Sequence, residues 1–227
     1  MKYLKKFATA EEYAAFVESG QMKRPNVSLV EEPFTTYYNK YIPLGVFIQH
    51  VNGTLYTEAE WTAKGFTNDE ANGVAVSTDN ARFVIAKSDL GKMTWSSNRS
   101  TAVDGILTTT DSATALTDFA GKNNTQLMLA TDTSGAGYSC ANFSFPNGDK
   151  GYLPALGELN EAYANKSKID SLMTKIGGAK LQLDYYWSST QSSSGLSWDF
   201  SWRDGSTNRN FKDALATYVR AFSALPL

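Results

Sequence analysis

From Leu44 onward the apolar positions fall in short runs broken by turn residues, a pattern that predicts many brief strands rather than a helical bundle. Val46 to His50 and Thr54 to Tyr56 flank Val51-Asn52-Gly53, and Asn-Gly between two such runs signals a hairpin. Gly73 to Ser77 and Arg82 to Lys87 read as a second pair around Asp79-Asn80. Between the pairs, Thr57 and Glu60 have the spacing of a capping box, which opens one short helix through Trp61.

Helical spacing is confined to a few segments. Tyr13, Phe16 and Val17 lie on one face behind a Thr9 cap, and Asn26 to Glu31 and Phe34 to Tyr38 read as strands on either side of Pro33. Residues 1–42 therefore form a small N-terminal unit and 43–227 the main domain. Thr110 to Ala130 is expected to be partly helical, broken at Gly121 and Asn123-Asn124. Leu156, Leu159 and Tyr163 mark one helix face, and Ile169, Leu172, Met173 and Ile176 mark a second behind a Ser167 cap, stopped by Gly177-Gly178. The whole is an α+β chain.

Composition narrows the chemistry. With 227 residues the chain can bury a core, and 21 basic against 23 acidic residues leave a net charge of −2, without the basic footprint of a nucleic-acid binder. The single cysteine, Cys140, excludes an intrachain disulfide, and with one histidine, His50, it offers no clustered set of zinc ligands and only one candidate base. No apolar run is long enough to span a membrane, and Met1 to Phe16 has Glu11 and Glu12 where a secretory leader would be apolar. Cytoplasmic synthesis, no enzyme activity, no cofactor and no metal are expected. The sequons at Asn52, Asn98, Asn123, Asn142 and Asn165 carry no weight without export.

The tract from Ser192 to Thr217 stands out because Trp198, Phe200 and Trp202 alternate with small polar residues, so that one side can pack while the other faces water. Ser192, Ser193, Ser194, Gly195, Leu196, Asp199, Ser201, Arg203, Asp204, Ser206, Asn208, Arg209, Asn210, Phe211, Asp213, Ala214, Leu215 and Ala216 are the expected ligand-facing patch, with Arg203, Arg209 and Phe211 as anchors. Trp187, Trp198, Val219 and Phe222 are the expected scaffold beneath it.

Gly151-Tyr-Leu-Pro154, Gly157-Glu-Leu-Asn160, Ile169 to Gly178, Tyr186-Trp-Ser-Ser-Thr190, Trp198, Asp204-Gly205, Lys212 and Tyr218-Val-Arg-Ala-Phe222 together resemble the C-type-lectin-like variable proteins of diversity-generating retroelements in gut Bacteroidetes and their phages. The resemblance implies a C-type-lectin-like domain with a small N-terminal appendage and a variable region over about 186–222. It also implies a diversified surface that binds a bacterial surface protein or glycan. In such a system, changes in the first two bases of Asn codons cannot produce Trp or Lys. Trp198, Trp202 and Lys212 would accordingly be held positions. The implied setting is a phage tail tip, with tail proteins met through the N-terminal region and further copies of the chain in the assembly; the alternative is a bacterial adhesin or fimbria-tip module at the cell surface. The calcium ligands of sugar-binding relatives are not recognisable around Trp198-Asp199-Phe200, and a formylglycine-generating active site needs paired cysteines.

Overall fold

The computed structural model describes residues 4–7, 37–40, 42–98 and 100–225. The helix expected over 10–18 and the strand over 26–31 lie outside them. The N-terminal ladder pairs β1 (Leu4–Phe7) with β2 (Tyr37–Lys40) in antiparallel register.

Two five-stranded sheets carry the rest. One contains β3 (Gly45–His50), β4 (Leu55–Tyr56), β5 (Ala71–Ser77), β6 (Arg82–Ile85) and β12 (Phe222–Ala224), in the order β12-β6-β5-β3-β4. The other contains β7 (Gly91–Lys92), β8 (Tyr185–Gln191), β9 (Leu196–Ser201), β10 (Thr207–Phe211) and β11 (Tyr218–Val219), in the order β10-β9-β8-β11-β7. Both expected hairpins form, β3 with β4 and β5 with β6. The capping box also forms: Thr57 caps α1 (Glu58–Lys64), and Glu60 accepts the Thr57 N–H at 2.8 Å.

Alternation along the strands feeds two apolar clusters. Val74, Val76, Phe83, Ile85 and Phe222 of the first sheet meet Tyr186, Trp198, Phe200 and Trp202 of the second around α5 (Leu156–Ala164) and α6 (Lys166–Lys175). Ala75, Val84, Trp95, Leu153, Trp187, Val219 and Ala221 form the other cluster. The chain end stitches the sheets together, since β11 belongs to one and β12 to the other. At this crossing the fully buried Arg220 guanidinium donates to Asp89 at 2.6 Å and to the Ala86 carbonyl at 2.8 Å.

The helical segments differ in detail from the sequence expectation. α2 (Ser112–Ala115) is short, and the break lies at residues 116–120, so Gly121 opens α3 (Gly121–Leu129) instead of interrupting it. Close approach explains the glycine: a Cβ there would lie 2.2 Å from a Glu158 carboxylate oxygen. α6 begins at Lys166 with Asn165 as its cap residue, so Ser167 is inside the helix. Gly177, at φ 67°, ends this region in the left-handed conformation that favours glycine. α4 (Gly135–Asn142) completes the α-helices among the described residues, and no helix there is long and apolar enough to cross a membrane.

A buried polar junction joins α3, α5 and β8. Asp118 accepts from the Thr190 hydroxyl at 2.8 Å, the Asn124 amide at 2.9 Å and the Ala120 N–H at 2.9 Å. Glu158 accepts from the Ala155 N–H at 2.7 Å and the Tyr152 hydroxyl at 2.9 Å. Burial dominates these bonds and pushes the Glu158 carboxyl up from 4.5 to about 8. The folded chain thus holds a proton that the unfolded chain releases near 4.5, and the resulting stabilisation, complete below that pH, is lost as pH rises to about 8. Glu158→Gln should remove this dependence. The difference in melting temperature, variant minus parent, is expected to grow from pH 5 to pH 8; a constant difference would contradict the protonated, buried carboxyl.

Candidate functional site

The second sheet ends in a hairpin, β9 to β10, with straight register from Thr207 opposite Phe200 to Phe211 opposite Leu196. Trp198, Phe200 and Trp202 anchor it inward, and Tyr163 closes over its turn, where a Cβ on Gly205 would lie 2.6 Å from the Tyr163 ring. The backbone carrying the patch is therefore held from below.

Most of the expected patch reaches solvent. Ser194, Arg203, Asp204, Ser206, Asn208, Arg209, Phe211, Asp213, Leu215 and Ala216 are exposed, while Ser193, Gly195, Leu196, Asn210 and Ala214 are half-buried. Ser192, Asp199 and Ser201 are buried, which corrects the expectation that the tract has one wet side. On the face opposite the tryptophan row, Met93, Trp95 and Val103 lie against β8. There Trp95 donates its indole N–H to the Ser188 carbonyl at 2.7 Å, and the Met93 carbonyl accepts from the Trp187 indole at 2.9 Å. Alternation in β9 consequently separates two buried faces.

The hairpin divides the exposed residues between two ends. Arg203, Asp204 and Ser206 occupy the β9–β10 turn, and Ser193 to Gly195 lie at the far end with Phe211 to Ala216. Asn208, Arg209 and Asn210 connect them along β10. The β10 segment spans about 17 Å at ordinary strand rise. Of the three expected anchors, Arg203 donates to the Leu183 carbonyl at 3.2 Å, Arg209 lies 5.8 Å from the Trp198 ring centre, and Phe211 is 61% exposed. Leu183, 57% exposed, borders the turn and is absent from the expected patch; an isolated leucine before an aromatic run carries no pattern that marks it as surface.

Two charged residues within the tract lie below the surface. Asp199 sits opposite Trp187 on one side and Asn208 on the other, fully buried, and neither carboxylate oxygen has a hydrogen bond of ordinary length. Burial pushes its carboxyl up to about 7, although the nearby amides of Asn208 and Asn210 favour the anion. Lys212 is buried as well. Its ammonium donates to Gln191 at 2.7 Å and to the Thr101 carbonyl at 3.3 Å and lies 4.5 Å from the Trp95 ring centre, while burial lowers it to about 8. Lys212 thus ties Trp95 and Thr101 to the end of β10.

Elsewhere the chemistry-bearing residues sit in structural roles. His50 accepts the Asn52 N–H at 3.0 Å and packs among Tyr56, Trp61 and Phe66. Cys140 is buried on α4, and desolvation pushes its thiol far up. Among the described residues no group of three or more His, Cys, Asp or Glu side chains is arranged to hold a metal ion.

No family model and no curated protein matches the sequence. In fold the chain is similar to a solved fimbrial protein from Bacteroides ovatus ATCC 8483, with a TM-score of 0.53 and 12% identity over 80% of this chain. It spans 48% of that protein. At this identity the likeness concerns the fold: a mixed α+β arrangement.

Asp199→Asn should leave the fold intact and remove the loss of stability that the parent suffers as pH rises from 3.8 to about 7, because the parent must ionise a buried carboxyl over that window. Melting curves at pH 5 and pH 7.5 should show the variant gaining on the parent at the higher pH; an equal difference at both would mean the carboxyl is solvated. The Cys140 thiol should react with a thiol reagent only on unfolding, and rapid labelling of the native chain would contradict its burial.

Proposed function

We propose that this chain is a ligand-binding module of a bacterial adhesin or fimbrial tip, and that it binds through the exposed part of the β9–β10 hairpin and its flanking loops. The observation that carries this reading is a fold similar to a fimbrial protein's, bearing a strip of exposed Arg, Asn, Ser, Phe and Leu side chains on strands anchored from below. Rigid support beneath varied exposed side chains is how a scaffold separates specificity from stability. In this reading the two-sheet scaffold is a C-type-lectin-like domain, and the chain binds and does not catalyse. The run of motifs from Gly151 to Phe222 also favours a phage tail-tip protein with a diversified surface, which would use the same strip.

A combined variant, Ser194→Ala, Asn208→Ala, Arg209→Ala and Leu215→Ala, tests the surface. Each exposed change should alter stability by less than about 0.5 kcal/mol, and binding to intact bacterial cells that capture the parent should fall about tenfold or more. Trp198→Ala is the contrasting control and should cost about 3 to 5 kcal/mol of stability. A combined variant that folds and binds like the parent would overturn the assignment.

A further inference from the structure

The two large sheets end in four outer strands. β4 and β7 have two residues each, β12 has three, and β10 has five. The main chain of β12 is further engaged by Tyr152, which exchanges hydrogen bonds with Phe222 at 2.7 and 3.0 Å. β10 is thus the long edge, and it contains neither a proline nor a register shift, two of the devices that blunt an open edge.

The outward main-chain groups of β10 follow from its ladder. Lys212 N–H donates to Gly195 at 3.1 Å and Ser201 N–H to Ser206 at 2.8 Å, and between them Asn208 pairs with Asp199 and Asn210 with Ser197. Because alternate residues of an antiparallel strand direct their N–H and C=O to the same neighbour, those of Thr207, Arg209 and Phe211 point away from β9. Phe211 is already engaged, its N–H by the Asn210 side chain at 2.9 Å and its C=O by Ala214 N–H at 2.9 Å. Among the described residues nothing is hydrogen-bonded to the outward N–H and C=O of Thr207 and Arg209.

Side-chain chemistry selects the occupant. Arg209 is exposed at the middle of the edge, and Asp204 of the β9–β10 turn already accepts from Ser206 N–H at 3.0 Å and its hydroxyl at 2.7 Å. The self-pairings of two copies that engage both Thr207 and Arg209 would set the two Arg209 side chains opposite or diagonal to each other, where like charges destabilise. An acidic residue across from Arg209 is favoured instead. Beyond it, Phe211 and Leu215 stand 61% and 70% exposed and offer apolar contact at the far end of the strand.

We propose that β10 is a strand-addition site, at which an extended segment of a partner protein, acidic opposite Arg209 and apolar beside Phe211, pairs with the main chain of Thr207 and Arg209. This rests on the reading of the strip as the binding surface and makes its partner a protein.

The probe is a synthetic peptide of alternating Thr and Glu ending in Phe, titrated into the isotopically labelled chain, with the same peptide N-methylated at every amide as the comparison. The amide signals of Thr207 and Arg209 should shift and saturate at about millimolar peptide, and the methylated peptide should shift neither. Arg209→Pro removes the outward N–H together with the guanidinium and leaves the inward ladder to β9 in place, so this variant should fold and lose the response at least tenfold. Should it fail to fold, the two peptides on the parent chain still decide. Equal shifts with both peptides, no shift at these amides, or dimerisation through β10 without peptide would each overturn strand addition. If the combined surface variant loses cell binding while the peptide does not pair, strand addition is wrong and the surface assignment stands. If that variant keeps cell binding, the assignment itself falls.

Discussion

Between Trp187 and Gln191 the β8–β9 ladder shifts register, which frees the Ser189 N–H and the Thr190 side chain to bond to the segment leading into α5. Ser189 N–H donates to Pro154 at 2.8 Å, and the Thr190 hydroxyl accepts from Leu156 N–H at 3.0 Å while donating to Asp118 at 2.8 Å. β9 is tied across the same interruption, by the Ser188 hydroxyl to the Trp198 carbonyl at 2.8 Å and by the Ser197 hydroxyl to the Thr190 carbonyl at 2.7 Å. A bulge of this kind bends its strand and raises the local twist. Here it fixes where the β9–β10 hairpin leaves the core.

The junction is polar throughout, and that makes it demanding. A buried hydroxyl or carboxylate left without its partner costs about 1 to 3 kcal/mol, so Asp118, Thr190, Asn124 and Ser189 must be correctly placed together or not at all. Glu158 answers the same demand differently, by holding a proton. Asp199, one strand further out, has neither a hydrogen bond of ordinary length nor exposure to solvent and also holds its proton into the neutral range. The sheet is therefore covered on both faces at β9, and side chains reach solvent along β10 and in the loops at its two ends.

Much of this is legible in the order of the residues. Asn52-Gly53, the Thr57 and Glu60 pair and the glycines at 177–178 carry local signals, and each forms the element its chemistry demands. The alternation of Trp198, Phe200 and Trp202 locates the anchored side of the tract. It misplaces Ser192, Asp199 and Ser201 because alternation reports one packed face and is silent about a second, on which Trp187 of β8 bonds to Met93, about a hundred positions earlier in the chain. The burial of Lys212 and the engagement of Arg203 by Leu183 are likewise long-range facts. Gly121 misleads for a related reason, since a glycine demanded by Glu158 looks locally like a helix breaker.

Binding through the hairpin strip of a rigid scaffold is tested most directly by hydrogen exchange on the chain alone and on the chain adhering to intact bacterial cells. Protection gained on adhesion should be confined to residues 193–216 and the adjoining 95–103 segment, with the amides of β3, β5 and α1 exchanging as they do in the free protein. Protection centred on the first sheet or on α1, with residues 193–216 unchanged, would contradict it.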